Sequence, residues 1–82
     1  MTKVKTATGK KYDSDFFVEH IPSKSLYLRV ICSSEEEVRN VFGDSTETQT
    51  LEYNGKNYEG FTKLKNVTEE EDGFWKLRLT HG

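Results

Sequence analysis

One cysteine, one proline and one tryptophan are all that 82 residues contain of those types, and no long apolar run is present. Each scarcity removes a class of answers. A lone thiol, Cys32, cannot build an internal disulfide framework or a paired-cysteine zinc site. No stretch approaches the roughly 18 apolar residues that a membrane-spanning helix needs, and the opening "MTKVKTATGKK" has no apolar segment of the kind found in secretory leaders. The expectation is a chain that stays out of the membrane, in the cytoplasm or, if phage-derived, in the host cytoplasm or virion. Net charge is small as well. Twelve basic and fourteen acidic residues are well mixed and leave a formal net charge of -2. That balance argues against a dedicated nucleic-acid binder, whose footprint is usually a basic patch or stripe, although a patch can hide in a neutral total.

What is present is a set of strand, turn and cap signals on the scale of a single domain, residues 1–82. A domain this small buries a modest share of its surface, so its core must lean on its aromatics. Residues 4–7 and 12–19 read as two strands flanking the turn "TGKK", and Pro22 breaks the chain before a third at 26–32. A two-residue Gly9-Lys10 loop would set Ala7 opposite Tyr12. The stretch "SSEEEVRNVFG" then changes period. Ser33 or Ser34 can cap a helix, Glu35, Glu36 and Glu37 suit its first turn, and Val38, Val41 and Phe42 share one face before Gly43 stops it.

Strand character returns from Thr46, and "YNGK" is the strongest hairpin signal in the chain, because Asn-Gly suits the positive φ angles of a type I′ turn. That loop sets Tyr53 opposite Lys56 and Leu51 opposite Tyr58, so Leu51, Tyr53 and Tyr58 share an apolar face. Gly60 interrupts the following strand and reads as a bulge or bend. Trp75, Leu77 and Leu79 alternate with Lys76, Arg78 and Thr80, as in a half-buried antiparallel strand. The predicted fold is α+β: a mainly antiparallel sheet of about six strands with one short helix, in the order β-β-β-α-β-β-β.

Candidate chemistry is thin. Gly9-Lys10 and Gly55-Lys56 open a repeated Gly-Lys-x-Tyr-acid-Phe frame, but neither has the longer glycine loop and helix start that hold phosphate. Asp13 and Asp15 are two apart on a strand and supply too few oxygens for calcium, and "EEEDG" lacks the ligand spacing of an EF-hand loop. Cys32, His20 and His81 sit in no nucleophile motif. No catalytic residue, metal site or cofactor is expected, and the chain reads as a non-enzyme. Lys56, Tyr58, Phe61, Lys63 and Lys65 interleave bases with aromatics, which is the pattern of a surface for single-stranded nucleic acid.

With "TGKKYDSDFF" before it, the stretch "SEEEVRNVFGDSTETQTLEYNGKNYEGFTKLKNV" resembles small uncharacterised proteins encoded in phages and prophages of Gram-positive bacteria. The resemblance implies a setting among virion or tail-assembly genes and a role in protein contacts, and it carries over no catalytic residue. The function expected first is therefore a non-catalytic structural or protein-interaction module that binds a partner or itself, with Leu51, Tyr53, Lys56 and Tyr58 as the candidate contact residues. The alternative is a nucleic-acid-binding accessory protein using the strand at residues 56–65.

Overall fold

Turn chemistry and side-chain alternation place the strands close to the expected order, with seven strands where about six were expected, because the strand read as running through Gly60 is two. A computed structural model describes residues 2–43 and 50–81. In chain order the elements are β1 (Thr2–Lys5), β2 (Lys11–His20), β3 (Ser25–Ile31), α1 (Glu35–Phe42), β4 (Thr50–Tyr53), β5 (Lys56–Glu59), β6 (Phe61–Glu69) and β7 (Phe74–His81), with a 3-10 turn at Glu71–Gly73. The architecture is α+β, one helix with an antiparallel sheet of seven strands among the described residues. The strand expected to begin at Thr46 falls partly on residues outside those described; β4 starts at Thr50.

Asn54 and Gly55 adopt φ of 54° and 81°, and the hairpin they form pairs Tyr53 with Lys56 and Leu51 with Tyr58, as the loop chemistry requires. The first hairpin differs from expectation. Tyr12 lies opposite Val4 and not Ala7, and β1 covers residues 2–5 instead of 4–7. The reason is a wider loop. The Thr6 N–H donates to the Lys10 carbonyl at 2.9 Å, the Gly9 N–H donates to the Thr6 carbonyl at 2.9 Å, and the Thr6 hydroxyl adds a bond to the Lys10 carbonyl at 3.2 Å. This register sets Val4, fully buried, against Tyr12, which is also buried.

The strand order is β5-β4-β1-β2-β3-β7-β6. Its two ends, β5 and β6, are consecutive in the chain with Gly60 alone between them. The sheet must therefore curl until its ends meet at that corner, giving a barrel-like shell. Gly60 turns the chain with φ of 84°, and its carbonyl accepts the Thr62 N–H at 3.0 Å. The bend expected at this glycine is thus the closing corner of the sheet. Register shifts between Ser14 and Phe16 in β2, and twice in β6, add the local coiling that a tightly curled sheet needs.

Inside the shell, Leu26, Leu28, Val30, Leu51, Leu77 and Leu79 are essentially fully buried. The α1 helix packs on β6 and β7 and seals one mouth, burying Val38 and Phe42, with the Phe42 ring centroid 5.7 Å from that of Tyr12. Its start follows the expected cap. The Ser34 hydroxyl accepts the Glu37 N–H at 3.2 Å, and the Glu37 carboxylate reaches back to the Ser33 N–H at 3.2 Å, satisfying two donors at the helix entrance. At the same mouth the Trp75 indole N–H donates to the Cys32 carbonyl at 3.2 Å.

A side chain at residue 60 would have room, since a Cβ there stands 3.5 Å from the His81 ring, an ordinary contact. The cost lies in the left-handed backbone, which an L-residue adopts at about 1–2 kcal/mol. Gly60→Ala is expected to lower stability by that amount in urea titration. An unchanged midpoint would show that the corner does not constrain the sheet.

Candidate functional site

The residues singled out in the β4–β5 hairpin do come together. β1 begins at Thr2 opposite Ser14, so the part of β2 beyond the register shift has no β1 neighbour in the sheet. The hairpin occupies that gap. Tyr53 stacks on Phe17 with ring centroids 4.2 Å apart and planes 6° from parallel, while Tyr58 tilts against the same ring at 4.9 Å. The Lys56 ammonium lies 5.0 Å from the Tyr58 centroid and 3.8 Å from a Glu19 carboxylate oxygen. Leu51, with no exposed surface, forms the floor and belongs to the core. Tyr53 and Tyr58 are half-buried, neither free contact residues nor full members of the interior. Their interactions are made within the chain, and the cluster acts as an aromatic plug.

The interleaved bases and aromatics at residues 56–65 do not share a surface. Gly60 sends Phe61 into the core, where it is 2% exposed and meets His81 edge-on at 4.5 Å, and Tyr58 turns to the plug. Lys63 and Lys65 remain outside without an aromatic platform on their own strand.

Cys32 is buried, and burial, reinforced by the neighbouring Glu37 carboxyl, pushes its thiol up to about 12. At neutral pH it is a protonated thiol, not a nucleophile. His20 stands near the start of β3 and Cys32 just past its end, seven strand-like steps or roughly 20 Å away. The His20 ring Nδ1 instead meets the Ser23 hydroxyl at 2.6 Å. Asp13 and Asp15 each hold a cation of their own, Lys3 and Arg29 respectively. Among the described residues no group of three or more metal-ligating side chains gathers.

The more open arrangement is on the outside of the shell. Cross-strand pairing of β2, β3, β7 and β6 places directly opposed residues on one face. Two outer rows result: Val18, Tyr27, Arg78 and Asn66, and beside it Phe16, Arg29, Lys76 and Thr68. Phe16 is 42% exposed, Val18 46% and Ile21, in the turn after β2, 74%. The Arg29 guanidinium lies over the Phe74 ring at 4.6 Å and forms a two-pronged pair with Asp15 at 3.0 and 2.5 Å. Arg78 lies 5.8 Å from the centroid of Tyr27 and donates to the Ser25 hydroxyl at 3.2 and 3.3 Å. Reading the sequence missed Phe16 and Val18 as surface residues. The signal was the adjacent Phe16-Phe17 pair just past Asp15, since only one of two neighbouring strand residues can point inward.

In comparison with known proteins, no family model matches the chain, and no curated protein or solved structure matches it.

Two outcomes test this geometry. A double-mutant cycle between Phe17→Ala and Tyr53→Ala is expected to show coupling of about 0.5–1.5 kcal/mol from the stacked pair; coupling near zero would mean that the rings do not support each other. For Cys32, the raised value means that the folded chain retains a proton that the unfolded chain releases above its ordinary 9.0. Stability from this group is therefore complete below about pH 9 and falls as pH rises toward 12. The wild type should lose stability over that window relative to Cys32→Ala, and parallel profiles would contradict the assignment.

Proposed function

We propose that this chain is a non-catalytic protein-interaction module that meets its partner, or a second copy of itself, through the outer face of β2 and β3, and that it serves among virion or tail-assembly components of a phage or prophage. One observation carries the reading. The exposed large hydrophobics Phe16, Val18 and Ile21 follow one another along β2 and into the turn after it. Apolar side chains gathered in this way on a small domain mark a contact surface, whereas scattered ones do not. The phage setting rests on the resemblance of the sequence, and the contact role rests on this strip.

The alternative, a nucleic-acid accessory protein, draws on a different observation. Lys63 pairs with Thr80 next to the row that holds Arg78, so Lys63, Lys76 and Arg78 lie on the same outer face. None of the three forms a salt bridge to a carboxylate among the described residues. This reading needs the β6–β7 face and not the 56–65 strand alone.

Replacing Val18 by a photo-crosslinking phenylalanine in the cell that encodes the chain is expected to give a discrete product with a partner or a second copy. The same residue at Glu36, exposed on α1, serves as the control. Phe16→Ser should abolish the product while shifting stability by no more than about 0.5 kcal/mol, as for other surface changes. Equal crosslinking at both positions, or a product indifferent to Phe16→Ser, would rule the strip out as the contact surface.

A further inference from the structure

The two arginines of the outer face occupy similar seats with different outcomes. Each lies over an aromatic ring, Arg29 over Phe74 and Arg78 over Tyr27. Arg29 is completed by a carboxylate from its own chain, Asp15. Arg78 has no carboxylate among the described residues. Its Nε and one terminal nitrogen are engaged by the Ser25 hydroxyl, which donates its own proton to the Ser23 carbonyl at 3.4 Å. A guanidinium carries five N–H donors, so the other terminal nitrogen remains available. The side chain is half-buried and already ordered. A ligand meeting it therefore bears little of the usual entropic cost of fixing an arginine.

Arg78 borders a shallow cleft of about 250 Å³ lined by Tyr27, Asn66, Thr68, Lys76, Leu77 and Arg78. This is smaller than the roughly 300–1,000 Å³ of pockets that enclose a small molecule. It suits a single group projecting from something larger. The lining combines two cations with an amide and a hydroxyl, the donors that a carboxylate or phosphate oxygen would accept.

We infer that this cleft takes a carboxylate side chain from an acidic, apolar peptide segment of the partner protein, with Arg78 and Lys76 holding the carboxylate while apolar neighbours in the segment cover Val18 and Phe16. The inference rests on the contact surface proposed above. Continuity supports it, because Val18, Tyr27 and Arg78 form one cross-strand row from the apolar strip to the cleft. Charge favours a carboxylate over a phosphate chain. The acidic stretch from Glu69 to Asp72 starts one residue after Thr68, so successive phosphates running past that end of the face would meet negative charge. A single carboxylate avoids it. The Arg29–Asp15 pair is an example of the same contact made within the chain.

The test is selection of a random twelve-residue peptide library on the folded wild-type domain, followed by affinity measurements on the variants. Enriched peptides are expected to carry Asp or Glu beside apolar residues, and to lose at least tenfold in affinity with Arg78→Gln and several-fold with Lys76→Gln. Lys76 is exposed, so its variant keeps the test valid if loss of the Ser25 contact unfolds Arg78→Gln. Acidic peptides indifferent to Lys76→Gln, or enriched peptides without an acidic preference that still depend on Phe16, would overturn the carboxylate site and leave the apolar surface standing. Enriched peptides that bind Phe16→Ser and Val18→Ser as tightly as wild type, or no enrichment at all, would overturn both. A ten-residue oligothymidylate that binds the face, displaces such peptides and is weakened by Lys63→Gln would overturn the inference in favour of nucleic acid.

Discussion

One residue holds the sheet closed. Gly60 is the whole connection between the two ends of the strand order, and the left-handed turn it makes obliges the antiparallel sheet to curl into a shell. The rest of the structure follows from that constraint. A flat sheet of this size would offer one apolar face to water and two strand edges to other chains. Curling turns the apolar face inward and brings the edges to a common corner. The curvature has to be absorbed somewhere, and the register shifts in β2 and β6 absorb it.

The two mouths of the shell are sealed by different means. At one, α1 lays Val38 and Phe42 over Tyr12 and Trp75, and so short a helix gains its stability from that packing more than from its own hydrogen bonds. At the other, β1 is too short to line the whole of β2, and the β4–β5 hairpin presses Tyr53 and Tyr58 onto Phe17 in its place. The ion pair of Lys56 with Glu19 lies at the rim of this plug, where solvent screening leaves it little energetic weight. The aromatic contacts do the sealing.

Local chemistry was legible in the sequence, and long-range geometry was not. Asn54-Gly55 encodes its turn in two residues, so the register of β4 against β5 could be read directly. The Ser34 cap and the alternation of Trp75, Leu77 and Leu79 are equally local. The β1–β2 register depends on a hydroxyl at Thr6 closing a wider loop, which composition alone does not distinguish from a two-residue turn. The extra residue in β2 is harder still. It shifts the inward positions from Tyr12 and Ser14 to Phe17 and Glu19, and so moves Phe16 and Val18 to the outside. The Phe16-Phe17 pair shows only that one of the two rings must face outward; which one it is depends on the curvature of the whole sheet. The candidate contacts Leu51, Tyr53 and Tyr58 were correctly placed on one face, but whether that face looked inward depended on closure at Gly60.

Closure also decides where recognition can take place. A shell built from so few residues has its interior filled by one layer of side chains, with Leu26, Leu28, Leu77 and Leu79 meeting Leu51 and Phe61. One mouth is sealed by the helix and the other by the plug, so only the outer surface remains for a ligand. Among the described residues, four of the twelve cations on that surface are paired with a carboxylate: Lys3 by Asp13, Arg29 by Asp15, Arg39 by Glu35 and Lys56 by Glu19. The other eight are exposed except Arg78, which is half-buried. Arg78 is held by Ser25 and Tyr27 in the same cross-strand row as the exposed Val18, in a chain whose acids outnumber its bases. With fourteen acidic residues against twelve basic ones, the lack of a carboxylate for Arg78 among the described residues reflects where the strands place those acids and not their number.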